Sequence, residues 1–532
     1  LQNMSTDLDA AYKLGNDIDA SGIANFDPIG DSYPNWFNGT FDGANYTISD
    51  LTVDRPNEDD VGLFGNTSQT ATVKNVTLND VNITGNKKVG GLVGEFNGDE
   101  IVNASASGQV SGTSTVGGLI GHYAGSGNVT DSSAAGDVVA SHRTAGGLVG
   151  DLSSGAIVNS YATSDVNVTG KSGNTNDGFI AGGLVGELNG SVTGSFARGT
   201  VTGTGQSIGG LVGRSYTGSN TVTIDTSNAT GQVNGTAGIG GLVGKTIGSS
   251  PTHISNSWAS GSVNSTGSVV GFGTYSGAGG LVGEFGGSGN ITASNASGTV
   301  SGTEKQVGGL VGVNRGGLIT DSNASGAVTG KSYTGGLVGE VDQSGSIFTS
   351  SASGTVTGTD NVGGLVGWTE GNVSTATATG DVAGEAYTGG LVGYLKRGDT
   401  GNGQHYAITD STASGKTTGT DYVGGLLGGT GRSVAKPLPI SIENSTTTGD
   451  IIATGDDVGG LVGELDLGGD HVNNATATGN VTGVNKTGGL LGVIVDGVTV
   501  TRSYATGAVD GTAEVGGLIG SSSGTVNTSY AV

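Results

Sequence analysis

The residues that point most directly to chemistry are asparagines followed two positions later by serine or threonine, a pattern that fits 22 of the 38 asparagines. In a secreted chain this pattern is the acceptor for N-linked oligosaccharides and lies at the surface. Repetition of one template explains part of the excess, because phrases such as Asn295-Ala296-Ser297 recur. We expect several of these asparagines to carry glycans, and the candidates are Asn38, Asn45, Asn75, Asn82, Asn103, Asn128, Asn167, Asn228, Asn295, Asn323, Asn372 and Asn474.

A second set of candidate binding residues is aromatic. Tyr161, Phe196, Trp258 and Tyr504 each occupy the middle position of a repeated Ser-x-Ala phrase, which we expect to face outward. Exposed aromatic rings of this kind stack on the apolar faces of sugars. Against this role, isolated exposed aromatic residues are ordinary, and we expect these four rings to stand several coils apart.

The charged residues are mainly acidic, with 45 Asp and Glu against 20 Lys and Arg and a formal net charge of −25. This excess argues against a nucleic-acid partner, which needs a basic face. One interpretation is a surface that stays solvated in high salt, and another is calcium binding by segments such as 16–19 or 57–60. A series of Gly-Gly-x-Gly-x-Asp calcium repeats is absent. The prediction is therefore no cofactor, with surface Ca²⁺ as the alternative.

Catalytic residues are not recognisable in the sequence. The five histidines lie in different repeats with no triad or metal-binding spacing, and no Gly-x-Ser-x-Gly phrase precedes a helix. We therefore predict that the chain is not an enzyme and assign no catalytic, cofactor-binding or metal-binding residue. The alternative is a carbohydrate-cleaving β-helix, which convergence of three or more carboxylates in one groove would favour.

Glycine dominates the composition, with 110 glycines, 6 prolines and no cysteine among 532 residues. These numbers exclude a collagen and a disulfide scaffold, and no run of about 18 apolar residues predicts a membrane span. The glycines are periodic, because Gly-Gly-Leu-[Val/Ile/Leu]-Gly occurs fifteen times. The copies begin at Gly90, Gly117, Gly146, Gly182, Gly209, Gly240, Gly279, Gly308, Gly335, Gly363, Gly389, Gly424, Gly459, Gly488 and Gly516.

Each repeat reads as short strands separated by glycine turns, without the 3.6-residue apolar period of a helix. The prediction is an all-β chain that forms a β-solenoid of about 16 coils, each of roughly 28–30 residues with three short strands. We place serine and alanine of each Ser-x-Ala phrase inward, and expect each Gly-Gly-Leu leucine to supply most of the apolar core. Residues 1–60 are a lead-in, and residues 61–532 continue it as a single elongated domain.

Longer loops interrupt the repeat at 170–181, 245–254, 264–278, 394–408 and 429–443. Insertions in solenoids lie on the exposed face and often bind ligands, so these loops are candidates for recognition. A further alternative is an ice-binding face of threonines such as Thr375, Thr377 and Thr379. We expect the threonines not to align from coil to coil, which argues against that alternative.

The repeated Gly-Gly-Leu-Val-Gly phrase resembles the GLUG motif. The segment before it, with Gly39-Thr40-Phe41-Asp42-Gly43 and Gly62-Leu63-Phe64-Gly65, is similar to the region that precedes GLUG repeats in large secreted and cell-surface proteins of bacteria and archaea. The resemblance covers essentially the whole chain. It implies an extracellular, adhesin-like protein, and it brings no catalytic residues, although some such proteins carry a peptidase domain elsewhere.

Together, repeat and resemblance predict a non-catalytic extracellular protein, a stiff N-glycosylated stalk or filament subunit at the cell surface. The alternatives are a carbohydrate-binding or carbohydrate-cleaving β-helix and a stalk that displays a domain outside this sequence. The chain begins without a signal peptide and stops midway through a repeat. We therefore expect its ends to continue into flanking domains or to dock on other copies, and surface glycans are a further expected partner.

Overall fold

In the computed structural model, two compact parts of the chain are both parallel β-solenoids: unit 1, Leu1–Ser262, and unit 2, Val263–Val532. The structure describes residues 1–30, 34–170, 179–218, 220–267, 277–303, 305–342, 345–397, 405–431 and 438–532. The predicted all-β solenoid is confirmed, and the units together contain about 17 turns. The helical segment of the described chain is a single 3-10 turn, Gln2–Thr6. No helix among the described residues has the length and apolar character of a membrane span.

One coil of unit 2 shows the path of the chain. Its strands are Leu318–Thr320, Asn323–Ala324, Val328–Thr329, Ser332–Gly335 and Val338–Val341, called here the first to fifth strands of a coil. Each pairs in parallel with the same strand of the next coil. The sequence predicts three strands per turn, and the structure has five because corner residues interrupt the ladder.

The lead-in strands join the same ladder in unit 1. Ala11–Lys13 pairs in parallel with Thr40–Asp42, and Thr40–Asp42 pairs with the first residues of the long strand Thr72–Thr84. The next coil contributes the long strand Glu100–Gly112. The boundary that the sequence suggests after residue 60 stays a prediction.

The fourth and fifth strands build the face that carries the candidate site, and their bounds are as follows. In unit 1 the fourth strands are Lys87–Gly90, Ser114–Gly117, Thr144–Gly146, Ile180–Gly182, Ser207–Gly209 and Ile239–Gly240. The fifth strands there are Phe64–Asn66, Val93–Phe96, Ile120–Tyr123, Val149–Leu152, Val185–Leu188, Val212–Thr217 and Val243–Gly248.

Unit 2 repeats the same two columns of strands. Its fourth strands are Ala278–Gly279, Val307–Gly308, Ser332–Gly335, Asp360–Gly363, Ala386–Gly389, Asp421–Gly424, Asp456–Gly459, Asn485–Gly488 and Ala513–Gly516. Its fifth strands are Val282–Phe285, Val311–Asn314, Val338–Val341, Val366–Thr369, Val392–Lys396, Leu427–Gly431, Val462–Leu465, Leu491–Ile494 and Ile519–Ser522.

The core follows the predicted columns. The leucine of each Gly-Gly-Leu phrase from Leu92 to Leu490 is fully buried, and so are the serine and alanine of the recurring Ser-x-Ala phrases from Ser160-Tyr161-Ala162 to Ser503-Tyr504-Ala505. The buried hydroxyls of these serines are paired along the solenoid: Ser322 Oγ donates to Thr320 O at 2.8 Å and accepts the N–H of Ser294 at 3.2 Å. This ladder supplies the partners that buried hydroxyls need.

The corners are formed by other residues than the sequence suggests. From the sequence, the Gly-Gly-Leu glycines are expected to permit both positive φ at the corners and close backbone approach; the first expectation is wrong and the second is confirmed. Positive φ occurs instead at polar residues such as Asn103, Asp131 and Asn159, with φ of 50°, 51° and 49°. Asparagine and aspartate tolerate this conformation better than most residues. The repeated glycines serve close backbone contact instead, since a Cβ on Gly336 would lie 2.0 Å from Gly364 O.

Three buried threonines offer a stability test. Thr334, Thr388 and Thr487 lie in the fourth-strand column that also contains Val362 and Val423, and each hydroxyl lacks a hydrogen-bond partner within the described chain. Replacing one of them by valine keeps the shape and removes an unsatisfied hydroxyl. We expect each Thr→Val change to raise the free energy of unfolding by about 1 kcal/mol, measured by guanidinium unfolding.

The matched control for this stability test is Thr447→Val. Thr447 is equally buried, but its hydroxyl donates to Gly460 O at 2.7 Å. Its replacement should lower the free energy of unfolding by about 1 kcal/mol. Destabilisation by Thr388→Val to the same extent as by Thr447→Val would contradict the prediction.

Candidate functional site

The candidate site lies on the face formed by the fourth and fifth strands of unit 2. The third residues of successive fifth strands form a column in register, and this column contains Glu340, Trp368, Tyr394 and Gly429. The positive-φ residues of the fourth strands form a second column beside it, with Tyr333, Asn361, Tyr387 and Tyr422. The parallel ladder thus places side chains from separate coils side by side.

Five rings on successive coils lie along this face, and we call them the aromatic strip: Tyr333, Trp368, Tyr394, Tyr387 and Tyr422. The rings of Tyr333 and Trp368 lie 5.8 Å apart, and Trp368 is the register partner of Tyr394. Tyr394 meets Tyr387 edge to face at 5.1 Å, and Tyr387 stacks on Tyr422 at 4.5 Å. All five side chains are half-buried, so each keeps some surface in contact with solvent.

Two glycines of the next coil make room for the strip. A Cβ on Gly431 would lie 1.7 Å from the hydroxyl of Tyr394, and one on Gly429 would lie 3.1 Å from the ring of Tyr387. The rings therefore extend across backbone that carries no side chain. A larger residue at either position would displace a ring from the strip.

Three carboxylates border the strip at one end, and we call Glu340, Asp342 and Glu370 the carboxylate rim. Glu340 is the register partner of Trp368, and it accepts a hydrogen bond from Gln306. Lys396 pairs with Glu370, and the Nζ atom of Lys396 lies 5.5 Å from the centre of the Trp368 ring. Convergence of three carboxylates is the arrangement expected of a carbohydrate-binding or carbohydrate-cleaving solenoid.

Two members of the rim have raised pKa values. Burial raises the pKa of both the Glu340 and the Asp342 carboxyl group, and the two groups lie close enough to influence each other. Burial also raises the pKa of the Tyr387 hydroxyl to about 12, so that it stays a hydrogen-bond donor.

The same face of unit 1 carries a polar network that the sequence does not reveal. His122 Nδ1 lies 3.2 Å from Glu95 Oε1, and His122 Nε2 lies 3.0 Å from Ser153 Oγ. The sequence predicts no triad among the histidines. The Ser153 hydroxyl, the His122 imidazole and the Glu95 carboxylate nevertheless lie in the order of a triad, which corrects that prediction. The N–H of Ser153 donates to Tyr123 O at 2.9 Å, so it cannot serve as an oxyanion donor there.

Glu95 makes this network sensitive to acid. Hydrogen bonds from His122 and Lys88 lower the pKa of Glu95 from 4.5 to about 2. A carboxylate with a lowered pKa stabilises the fold above its unfolded pKa, and this contribution is lost as the pH falls through the folded value. Between pH 5 and pH 2 we expect Glu95 to account for up to about 3 kcal/mol of lost stability.

The test compares unfolding free energies of the native chain and Glu95→Gln from pH 7 to pH 2. Glu95→Gln should show the smaller loss in acid, and His122→Gln should lie between the two because Lys88 still pairs with Glu95. If the free energy of unfolding fell equally with pH in all three proteins, the assigned role of Glu95 would be contradicted.

The aromatic residues singled out from the sequence lie on the second strands. The expectation that these four rings stand several coils apart is wrong for Tyr161 and Phe196, and Tyr504 has a further aromatic neighbour. Tyr161 and Phe196 occupy neighbouring coils and stack at 4.9 Å, with the Arg198 guanidinium 4.5 Å from the Phe196 ring. Tyr504 stacks on Tyr530 at 5.5 Å, whereas Trp258 is exposed and pairs in register with Asn228. Sugar stacking by these residues stays a prediction.

The twelve candidate glycosylation sites all lie at positions open to solvent. Asn75 and Asn228 are half-buried, and the other ten are exposed. Some belong to amide ladders along the solenoid: the Nδ2 atom of Asn103 donates to Asn45 and Asn75 at 3.0 Å, and that of Asn323 donates to Asn295 at 3.0 Å. Glycan attachment stays a prediction for all twelve.

Two calcium candidates already have partners within the protein. In segment 57–60, Asp59 accepts a hydrogen bond from Asn86 and Asp60 lies 3.7 Å from Lys88. In segment 16–19, Asp17 accepts the N–H of Thr47. Nowhere in the described ranges do three or more His, Asp or Glu side chains form a group suited to a metal ion. Calcium binding at these segments stays a prediction.

The predicted long loops and the predicted lack of threonine alignment can be compared with the structure only in part. Residues 171–178, 268–276, 398–404 and 432–437 of the expected loops lie outside the described residues. Segment 245–254 is largely strand, since Val243–Gly248 pairs with the preceding fifth strand. The expectation that threonines do not align is wrong over four coils, where Thr377, Thr412, Thr446 and Thr476 are successive register partners, but the column continues with Ser351 on one side and Tyr504 on the other.

Comparisons with known proteins find the GLUG motif in two coils of the repeat. Residues 1–108 match the family model of the M26 IgA1-specific metallo-endopeptidase N-terminal region, and residues 303–329 and 330–357 match the GLUG motif. Halomucin of Haloquadratum walsbyi (strain DSM 16790 / HBSQ001) is 36% identical over 336 residues, which is 59% of this chain and 4% of Halomucin. The chain thus spans a small part of the length of that relative.

A solved structure also matches. It is the crystal structure of a candidate immunoglobulin A1 protease from Bacteroides ovatus, with 17% sequence identity and a TM-score of 0.25 over 62% of this chain and 74% of that one. The chain therefore forms a β-solenoid that contains GLUG motifs, and the family model matches two neighbouring coils of it, residues 303–329 and 330–357.

Proposed function

We propose that this chain is a structural, non-catalytic segment of a longer protein that is secreted or held at a cell surface. The observation that carries the proposal is the in-register parallel ladder within each unit, in which the strands of one coil pair with the corresponding strands of the next. Such a ladder resists extension and leaves the outer positions free to vary. Similarity to Halomucin and the GLUG motifs supports the surface location.

The charge of the chain fits this role. A net charge of −25 keeps the solenoid surface hydrated and opposes bundling of neighbouring copies. N-linked glycans on the exposed asparagines would also oppose bundling of neighbouring copies. Enzymatic deglycosylation of the native protein should lower its intact mass, and an unchanged mass would remove glycosylation from the proposal.

The location is tested on intact cells that produce the protein. Antibodies raised against the 532-residue chain should label the outside of unpermeabilised cells, and external protease should abolish the label. A cytoplasmic protein serves as the control, which must stay intact under the same protease treatment. Labelling only after permeabilisation would contradict the proposal.

A second candidate function rests on the match of residues 1–108 to the N-terminal region of M26 metallo-endopeptidases. In that case the solenoid would be the non-catalytic region of a peptidase whose active domain lies elsewhere in the longer protein. The 532-residue chain, incubated with human IgA1 and Zn²⁺, should leave the IgA1 heavy chain intact on a denaturing gel. Cleavage that a metal chelator abolishes would place a peptidase within this chain and overturn the non-catalytic assignment.

A further inference from the structure

We propose that the aromatic strip and the carboxylate rim of unit 2 together form a binding site for an uncharged oligosaccharide. The site lies on the fourth and fifth strands, away from the second-strand aromatic residues that the sequence suggests. The inference goes beyond the structural function proposed above, and it holds or fails independently of where the protein is located.

The residue types of the strip distinguish it from core packing. The largest fully buried rings of the described chain are mainly phenylalanines, such as Phe41, Phe96 and Phe285. The strip instead consists of four tyrosines and one of the three tryptophans, all half-buried. Tyrosine and tryptophan combine an apolar ring with a polar group, and they are enriched where a surface binds a partner.

The shape of the strip suits a chain of sugar rings. Its rings span four coils, from Tyr333 through Trp368 and Tyr394 to Tyr422, with Gly429 and Gly431 beneath the far end. A pyranose ring presents carbon-bound hydrogens on its faces and hydroxyls around its edge. Its face can pack on an aromatic ring while its hydroxyls bond to polar groups beside that ring, as in other ligand sites.

The charges next to the strip favour an uncharged ligand. Lys396 pairs with Glu370, and Arg315 lies 2.6 Å from Glu284 and 3.5 Å from Asp342. Both cations thus have partners within the protein, and carboxylates outnumber them, because Glu464 and Asp466 also lie near Tyr387. The hydroxyls of an uncharged sugar can donate to such carboxylates, whereas an acidic sugar would be repelled by them.

The experiment measures binding to the full chain by isothermal titration calorimetry. The probes are three uncharged hexasaccharides, of β-1,4-glucose, β-1,4-mannose and β-1,4-N-acetylglucosamine, together with hexalysine. At least one hexasaccharide should bind saturably and hexalysine should not. Because the ligand is uncharged, its affinity should change less than twofold between 0.15 M and 2 M NaCl.

Variants place the binding on the strip. Trp368→Ala and Tyr422→Ala, at separate points of the strip, should each weaken the affinity at least tenfold. The matched control is Trp258→Ala, which removes an exposed tryptophan of unit 1 and should leave the affinity unchanged. Circular dichroism verifies that each variant is folded, and Trp368→Phe, which keeps an aromatic ring, should retain most of the affinity.

Three results would overturn the inference. The first is no saturable binding of any of the three hexasaccharides. The second is binding of hexalysine that disappears in 2 M NaCl, since the surface would then recognise cations. The third is sugar binding that Trp258→Ala abolishes while Trp368→Ala and Tyr422→Ala leave it intact, which would move the site to the second strands of unit 1.

Discussion

Replacing Arg397 by methionine is expected to lower the free energy of unfolding of unit 2 by about 3–5 kcal/mol. Arg397 is fully buried and binds the equally buried Asp470 through two nitrogens, with Nη2 2.6 Å from Oδ2. The same nitrogen donates to Asp466 at 2.8 Å and to Thr430 at 2.7 Å. Methionine fills similar space but leaves Asp470 buried without its counter-ion.

The size of the effect follows from the cost of an unpaired buried charge. A buried ion pair adds little net stability, but loss of one partner leaves the other charge without compensation. Burial already raises the pKa of Asp470, and Arg397 opposes this effect. Without Arg397 the Asp470 carboxyl should take up a proton more readily, so the variant should lose less stability at pH 5 than at pH 8.

The measurement is guanidinium unfolding followed by circular dichroism at both pH values. Arg502→Met is the matched control, because Arg502 is exposed and bonds to Asn473 at the surface. This control should change stability by less than about 0.5 kcal/mol. Equal effects of the two substitutions, or a pH-independent loss for Arg397→Met, would show that the cluster around Arg397 does not act as a buried ion pair.

Replacing Gly336 by alanine is the second substitution with a large expected effect, a loss of about 3 kcal/mol or more. An added Cβ would lie 2.0 Å from Gly364 O and 3.0 Å from the Cβ of Ala352. Gly336 N–H also donates to Gly363 O at 3.1 Å, which holds the two coils together at this point. The new methyl group can be accommodated only if neighbouring coils separate.

The matched control for Gly336→Ala is Gly22→Ala, where no atom lies within 4 Å of the added Cβ. Gly22→Ala should be neutral or slightly stabilising, because alanine restricts the unfolded chain. Thermal and guanidinium unfolding of both variants provide the comparison. A Gly336→Ala protein as stable as the native chain would show that the Gly-Gly-Leu glycines are not required for close packing.

The repeat and its core were accessible from the sequence because each depends on local periodicity. Alternation along a strand places Ser294 and Ala296 on one side and Asn295 on the other, and the structure confirms this arrangement. The leucines such as Leu337 are buried because they are the large apolar residues of each coil. Corner residues were harder to predict, since glycine and asparagine both tolerate positive φ and sequence spacing does not distinguish them.

The candidate site could not be predicted from local periodicity. Tyr333 and Trp368 are 35 residues apart in the chain and belong to different strands of their coils, yet their rings lie 5.8 Å apart. Glu95, His122 and Ser153 likewise come from three different coils. Coil lengths vary between repeats, so counting residues does not show which side chains become neighbours.

Local alternation and the recurrence of one glycine-rich phrase were therefore enough to establish strands, a solenoid and its buried columns, because these properties repeat in every coil. The aromatic strip, the carboxylate rim with its Glu370 from a neighbouring coil, and the buried Arg397 cluster depend on register between coils. Stacking in parallel brings each strand beside the same strand of the next coil, and the side chains that meet there are set by that pairing. The residues of the candidate site are distant along the chain and become neighbours only when the coils stack.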